Sequence, residues 1–120
     1  MSAPALTSLQ QICPQIRQLG EHLVPYTSLL DPETVAFVRN ASTEIVKCLA
    51  ELPAQSDAAL ENQEIRHDLR NKIAGVRGSC ELILMDLPPS HAVVPSVKQM
   101  IIFSDQVVAV LNSVRGRLGS

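Results

Sequence analysis

The sequence predicts an all-α protein, and three observations carry that prediction. Apolar residues recur at spacings of three and four in four separate stretches, the pattern of one buried stripe on each of four helices. Prolines fall between the stretches, at Pro25, Pro53, Pro88 and Pro89, where they break rather than build regular structure. Aromatic residues are 2% of the chain against 46% apolar, so the core is Leu, Ile, Val and Ala, a composition suited to helix-on-helix packing. No stretch alternates as a strand, and there is no internal repeat.

The first helix is expected over about 5–24. Its stripe is Ala5, Leu9, Ile12, Ile16, Leu19 and Leu23, with Pro14 either kinking it or marking a new start. A linker begins at Pro25-Tyr26-Thr27-Ser28. The second helix, about 32–52, has Asp31 as N-cap, Pro32 in its first turn and Pro53 beyond its end. The third and longest spans about 57–87, with Ser56 or Asp57 as its cap, and Pro88-Pro89-Ser90 stops it. Ile65, Leu69, Ile73, Val76, Cys80, Ile83 and Leu87 form its stripe. The fourth runs over about 93–118 with Pro95 in its first turn and Val93, Val97, Met100, Ser104, Val107, Leu111 and Val114 on one seam. The chain thus divides into an N-terminal helical region, 1–55, and a helical hairpin, 56–120. Leu82 and Met85 on the third helix and Ile102, Phe103 and Val110 on the fourth widen the apolar surface beyond what a hairpin buries alone. Either the first two helices or a second copy of the hairpin must cover it.

Charge and cysteine content exclude several classes. A formal net charge of −2 offers no long-range attraction to nucleic acid or an anionic membrane. The three cysteines, Cys13, Cys48 and Cys80, are odd in number and lie at or beside stripe positions. They read as buried core thiols of a reducing compartment, not as a disulfide set or metal site. The N-terminus lacks a signal peptide's basic start and apolar run. The apolar stretch Val93–Leu111 is interrupted by Ser96, Lys98, Gln99, Ser104, Asp105 and Gln106, which reads as too polar for a bilayer. A cytoplasmic location is expected.

The third helix carries the chemistry. His67 lies two residues from both Ile65 and Leu69, on the side away from the stripe. Asn71 is one turn further on, and Ala74 and Gly78 continue that face. Asp68 and Arg70 flank the imidazole. A histidine turned out of the core with an amide at i+4 points to function rather than packing. His22 and His91 receive no role.

The run HDLRNKIAGVRGSCELIL resembles the H-box of the dimerisation and histidine-phosphotransfer domain of two-component sensor kinases. His67, Asp68, Leu69, Arg70, Asn71 and Ile73 match in register, as do Gly78, Glu81 and Leu82 downstream. The stretch VKQMIIFSDQVVAVLNSV looks like the second helix of that family's hairpin. Lys72 stands where the family has proline, so the helix is expected to run straight past the histidine. The resemblance covers Asp57–Leu118, about half the chain. It implies an antiparallel hairpin forming a four-helix bundle by homodimerisation. In that arrangement His67 is the phosphoacceptor, Asp68 the general base that orients the ring, and Asn71 the group that positions the ring or a water. Arg70, Ala74, Gly75 and Gly78 form the surface that meets a response-regulator receiver domain.

No stretch resembles the family's ATP-binding domain, so no autonomous kinase activity is expected. Such a domain would act in cis or trans. No cofactor or metal is expected on this chain, Mg belonging to a partner. Two alternatives stay open: a structural dimerisation domain with a vestigial H-box that regulates an attached output domain, and a monomeric histidine-phosphotransfer bundle.

Overall fold

The computed structural model describes residues 4–26, 28–53 and 56–119. Four α-helices follow in order: α1 (Pro4–Glu21), α2 (Pro32–Glu51), α3 (Gln63–Asp86) and α4 (Val94–Gly119). Short 3-10 turns at Val24–Tyr26 and Ala58–Glu61 lie between them. Among the described residues there is no strand. Thr27 of the expected linker and the division at residue 55 fall outside the described residues.

Each helix packs on two others: α1 on α2 and α4, α3 on α2 and α4. Side-chain pairs give the directions. Arg39 meets Glu21 while Gln10 reaches the carbonyl of Leu49 (3.3 Å), so α1 and α2 are antiparallel. Arg70 meets Asn112 (3.1 Å) and Arg77 meets Asp105 (2.7 Å), so α3 and α4 are antiparallel as well. One buried cluster runs through all four helices, from Leu6, Leu9 and Ile16 through Val38 and Ile45 to Ile73, Met100 and Leu111. The regions 1–55 and 56–120 therefore share a core. The first two helices cover the hairpin's apolar seam, while Leu82, Met85 and Ile102 stay exposed.

Local chemistry accounts for the helix ends. Asp31 caps α2 as expected, its Oδ1 accepting from the Glu33 N–H (3.3 Å) and its Oδ2 from the Thr34 hydroxyl (2.7 Å). Pro14 sits inside α1 without ending it. The cap of α3 departs from expectation. Asn62, not Ser56 or Asp57, accepts from the Glu64 N–H (2.8 Å) and the Ile65 N–H (3.3 Å). Ser56 instead accepts from the Ala58 N–H (3.0 Å), helping to form the 3-10 turn. Asp57 is buried and turns to α1, where its carboxylate accepts from the N–H groups of Ala5 (3.2 Å) and Leu6 (2.9 Å). Those donors have no partner inside their own helix, and a carboxylate is favoured at a helix's positive end. One side chain thus ties the start of the hairpin region to the start of the chain.

By length and composition Val94–Gly116 is apolar enough to cross a membrane, with a mean hydropathy of 1.3, contrary to the reading of its polar residues. A third of that stretch is buried, and its seam from Val97 to Val114 packs within the core.

Cys13 and Cys80 are core thiols, 2% and 0% exposed, and burial pushes both up to about 12 from an ordinary 9.0. An unfolded chain releases these protons near pH 9, whereas the folded chain holds them to about 12. These two thiols therefore add no pH dependence below pH 9, and their contribution to stability is lost as pH rises between those values. Urea midpoints measured across that window are expected to drop in the parent and to drop less in a Cys13→Ala/Cys80→Ala variant. Equal slopes in the two proteins would contradict this.

Candidate functional site

Helix α3 presents an outward face made, in order, of His67, Asn71, Ala74, Gly78, Leu82 and Met85. All are exposed except Gly78, which is half-buried. The opposite face of the helix, Leu69, Ile73, Val76, Cys80 and Ile83, is buried and fixes its rotation. The imidazole of His67 is therefore in solvent because the core claims the other side of the same helix. Lys72 lies within the helix, which continues unbroken past the histidine.

Asn71 lies one turn on, and its Nδ2 is 3.2 Å from His67 Nε2. An amide N–H donating there selects the tautomer with the lone pair on Nε2 and the proton on Nδ1. Asp68, expected as the general base that orients the ring, is engaged elsewhere. Both of its oxygens accept from Lys72 Nζ, at 2.7 and 2.6 Å. That hydrogen bond, and then the carboxylate's charge, raises the Lys72 pKa. On a helix, i and i+4 face each other whereas adjacent residues diverge, so the lysine one turn on takes the carboxylate.

Arg70 points across to α4, where its Nη2 donates to Asn112 Oδ1 (3.1 Å). Its Nε is buried and has no hydrogen-bond partner among the described residues. Gly75 does not provide open surface. A Cβ there would lie 2.7 and 2.9 Å from the Phe37 ring of α2, so that position receives a neighbouring side chain. Gly78 is different, because a Cβ there would meet nothing within 4 Å. Ala74 and Gly78 remain a low, open strip beside the histidine.

Three residues absent from the sequence reading complete the site. His67 borders a cleft of about 180 Å³ lined also by Gln63, Arg66, Arg70 and Arg115. The α3–α4 register that pairs Arg70 with Asn112 and Arg77 with Asp105 sets Arg115 opposite His67. Hairpin symmetry about the Pro88–His91 turn is the sequence signal that finds it. Arg66 is buried, its Nη1 donating to the carbonyls of Leu60 (2.9 Å) and Glu61 (2.7 Å). No carboxylate lines the cleft among the described residues. Among the described residues no group of three or more His, Cys, Asp or Glu side chains is arranged to hold a metal.

The other two histidines lie at the far end of the helices. His22 Nδ1 is 3.0 Å from Ser96 Oγ, and His91 Nδ1 accepts from the Val93 N–H (3.1 Å) with its ring edge-on to Tyr26. They join the end of α1 to the start of α4. Comparison with protein-family models, with curated proteins and with solved structures finds no match to this chain.

Proposed function

We propose that this chain is a histidine phosphoacceptor and phosphotransfer module of a two-component phosphorelay, exchanging phosphate between His67 and a receiver-domain aspartate. The observation that carries the reading is an exposed imidazole, held by Asn71 at 3.2 Å, at the edge of a cleft lined by three arginines and, among the described residues, no carboxylate. A neutral imidazole is a competent nucleophile in the cytoplasmic pH range. In the forward step its Nε2 lone pair attacks the phosphorus of the aspartyl phosphate and a N–P bond forms. The P–O bond to the aspartate breaks, the carboxylate leaves with that electron pair, and the proton stays on Nδ1. The amide of Asn71 must release Nε2 for the attack, at a cost of only about 1 kcal/mol for a neutral hydrogen bond.

The receiver would approach along the strip of Ala74 and Gly78, with exposed Leu82 and Met85 supplying apolar contact at its end. In this reading the chain does not supply its own phosphoryl donor. It takes phosphate from a receiver or from a kinase ATP-binding domain in cis or in trans, in the cytoplasm, and any Mg sits on those partners.

The core favours a second form of the same reading, the monomeric phosphotransfer bundle. Helices α1 and α2 cover the seam that a second hairpin would cover in a homodimer. Pairing of two chains then has to use outer surfaces such as Leu82, Met85 and Ile102. Sedimentation equilibrium is expected to give a 13.0 kDa species. A stable species of twice that mass would overturn the monomeric form and assign pairing to those outer surfaces.

The test is incubation with a phosphorylated receiver, followed by acid and alkali treatment of the labelled chain. Label that is lost in acid and kept in alkali supports phosphohistidine. No label from any receiver or ATP-binding domain would leave the structural dimerisation domain with a vestigial H-box. A glycine change probes docking. Gly78→Ala removes a poor helix former from a helix interior with open space around it, so the isolated protein should gain about 1 kcal/mol in denaturant unfolding. Transfer from the receiver should slow in the same variant. Faster or unchanged transfer would move the docking surface elsewhere.

A further inference from the structure

We infer that the cleft beside His67 is a binding subsite for a tetrahedral phosphoryl dianion, with Arg70 and Arg115 as its ligating groups. The identity of the anion rests on the phosphotransfer reading; the existence of an anion site rests on the cleft. Three features of the cleft argue for such a site.

The first is charge. Arg66, Arg70 and Arg115 converge on about 180 Å³ with no carboxylate among the described lining residues, in a chain whose formal net charge is −2. Elsewhere on the surface Arg39 is matched by Glu21, and Arg77 by Asp105 and Glu81. Like charges gathered without a counter-charge raise the free energy of the empty site, and an arriving anion relieves that cost.

The second is an unmet donor. Arg70 Nε is buried and has no hydrogen-bond partner among the described residues, although Asn112 already holds its Nη2. A buried donor left unpaired costs about 1–3 kcal/mol, so its persistence beside a cleft points to an acceptor that arrives from outside. The guanidinium is also fixed in orientation before any ligand binds, which lowers the entropy lost on binding.

The third is division of labour. Arg66 is committed to the carbonyls of Leu60 and Glu61, whereas Arg115 is exposed and has no carboxylate partner among the described residues. Arg115 comes from α4, so the two ligating arginines reach the cleft that His67 borders from different helices. A phosphoryl group on the imidazole presents three oxygens, enough for both guanidinium groups. The same cradle would hold a phosphoryl group as it arrives and would shield it from water once bound to nitrogen.

The probe is inorganic phosphate, titrated into the ¹⁵N-labelled full chain while the arginine Nε–H resonances are followed. Saturable shifts at Arg70 and Arg115 are expected, with competition by sulfate and none by chloride at equal ionic strength. R115Q, at an exposed position where folding is not at stake, should weaken phosphate binding by roughly tenfold or more, the scale of one charge-assisted hydrogen bond. Absence of saturable shifts, or an R115Q variant that binds like the parent, overturns the inference. The two readings fail separately. If phosphate binds and R115Q loses it while no donor ever labels His67, the anion site stands and phosphotransfer falls. If His67 is labelled but R115Q loses its phosphoryl group at the parent rate and phosphate does not bind, the subsite falls alone.

Discussion

His67→Gln is expected to take up no label from a phosphorylated receiver while unfolding at the parent temperature. The loss should be complete because the reaction needs a nitrogen lone pair, and no second imidazole can substitute. His22 and His91 are bonded to Ser96 and to the Val93 N–H at the other end of the helices, separated from His67 along α3 by about 30 Å at 1.5 Å per residue. Stability should change by no more than about 0.5 kcal/mol, since the ring is exposed and its hydrogen bond is to a single amide. Asn71→Ala removes the hydrogen bond that Nε2 has to give up before it attacks, so transfer should be unchanged or faster by about tenfold at most, the worth of one neutral hydrogen bond. The pair of results is diagnostic. A labelled His67→Gln chain would assign the phosphoacceptor to another residue, and slower transfer in Asn71→Ala would give the amide a role in the transition state.

The residues that sequence periodicity locates correctly are those whose position one helix determines. The stripe from Leu69 to Ile83 is buried, His67 is turned outward, and Asn71 reaches the ring because i and i+4 share a face. Asp31 caps α2 because a cap is also a local event. Periodicity fails where two elements meet. Asp57 has the sequence position of a local cap and instead serves the first N–H groups of α1, more than fifty residues away. Gly75 has the position of open surface and instead receives Phe37 from α2. Arg115 becomes visible only once the α3–α4 register is known. Asp68 is a different kind of miss. Its partner Lys72 is legible at i+4, and matching the carboxylate to the adjacent histidine overlooks that a helix points the two apart.

Arg66 joins the fold to the site, and Arg66→Met is expected to have the largest effect on stability. The parent side chain is 7% exposed in the first turn of α3, three residues before Leu69 and seven before Ile73, a stripe position where an apolar residue would be expected. Its Nη1 donates to the Leu60 and Glu61 carbonyls, which close the 3-10 turn ahead of the helix. Methionine fills similar space without a donor, so the fully buried Leu60 would be left with an unpaired carbonyl. Two hydrogen bonds from a charged donor set the loss at about 3 kcal/mol, equivalent to a melting temperature lower by roughly 10 °C in a domain of this size. Arg66→Lys keeps a cationic donor and should recover part of that loss. Arg115→Met, at an exposed position, should change stability by no more than about 0.5 kcal/mol. Calorimetry that places Arg66→Met lowest, Arg66→Lys between and the parent highest would establish that Arg66 acts as a donor to the turn. Equal melting of Arg66→Met and parent would mean that the carbonyls find water instead. Loosening this turn also frees Gln63 and His67, which stand on the same first turns of α3, so the methionine substitution should weaken phosphate binding as well as the fold.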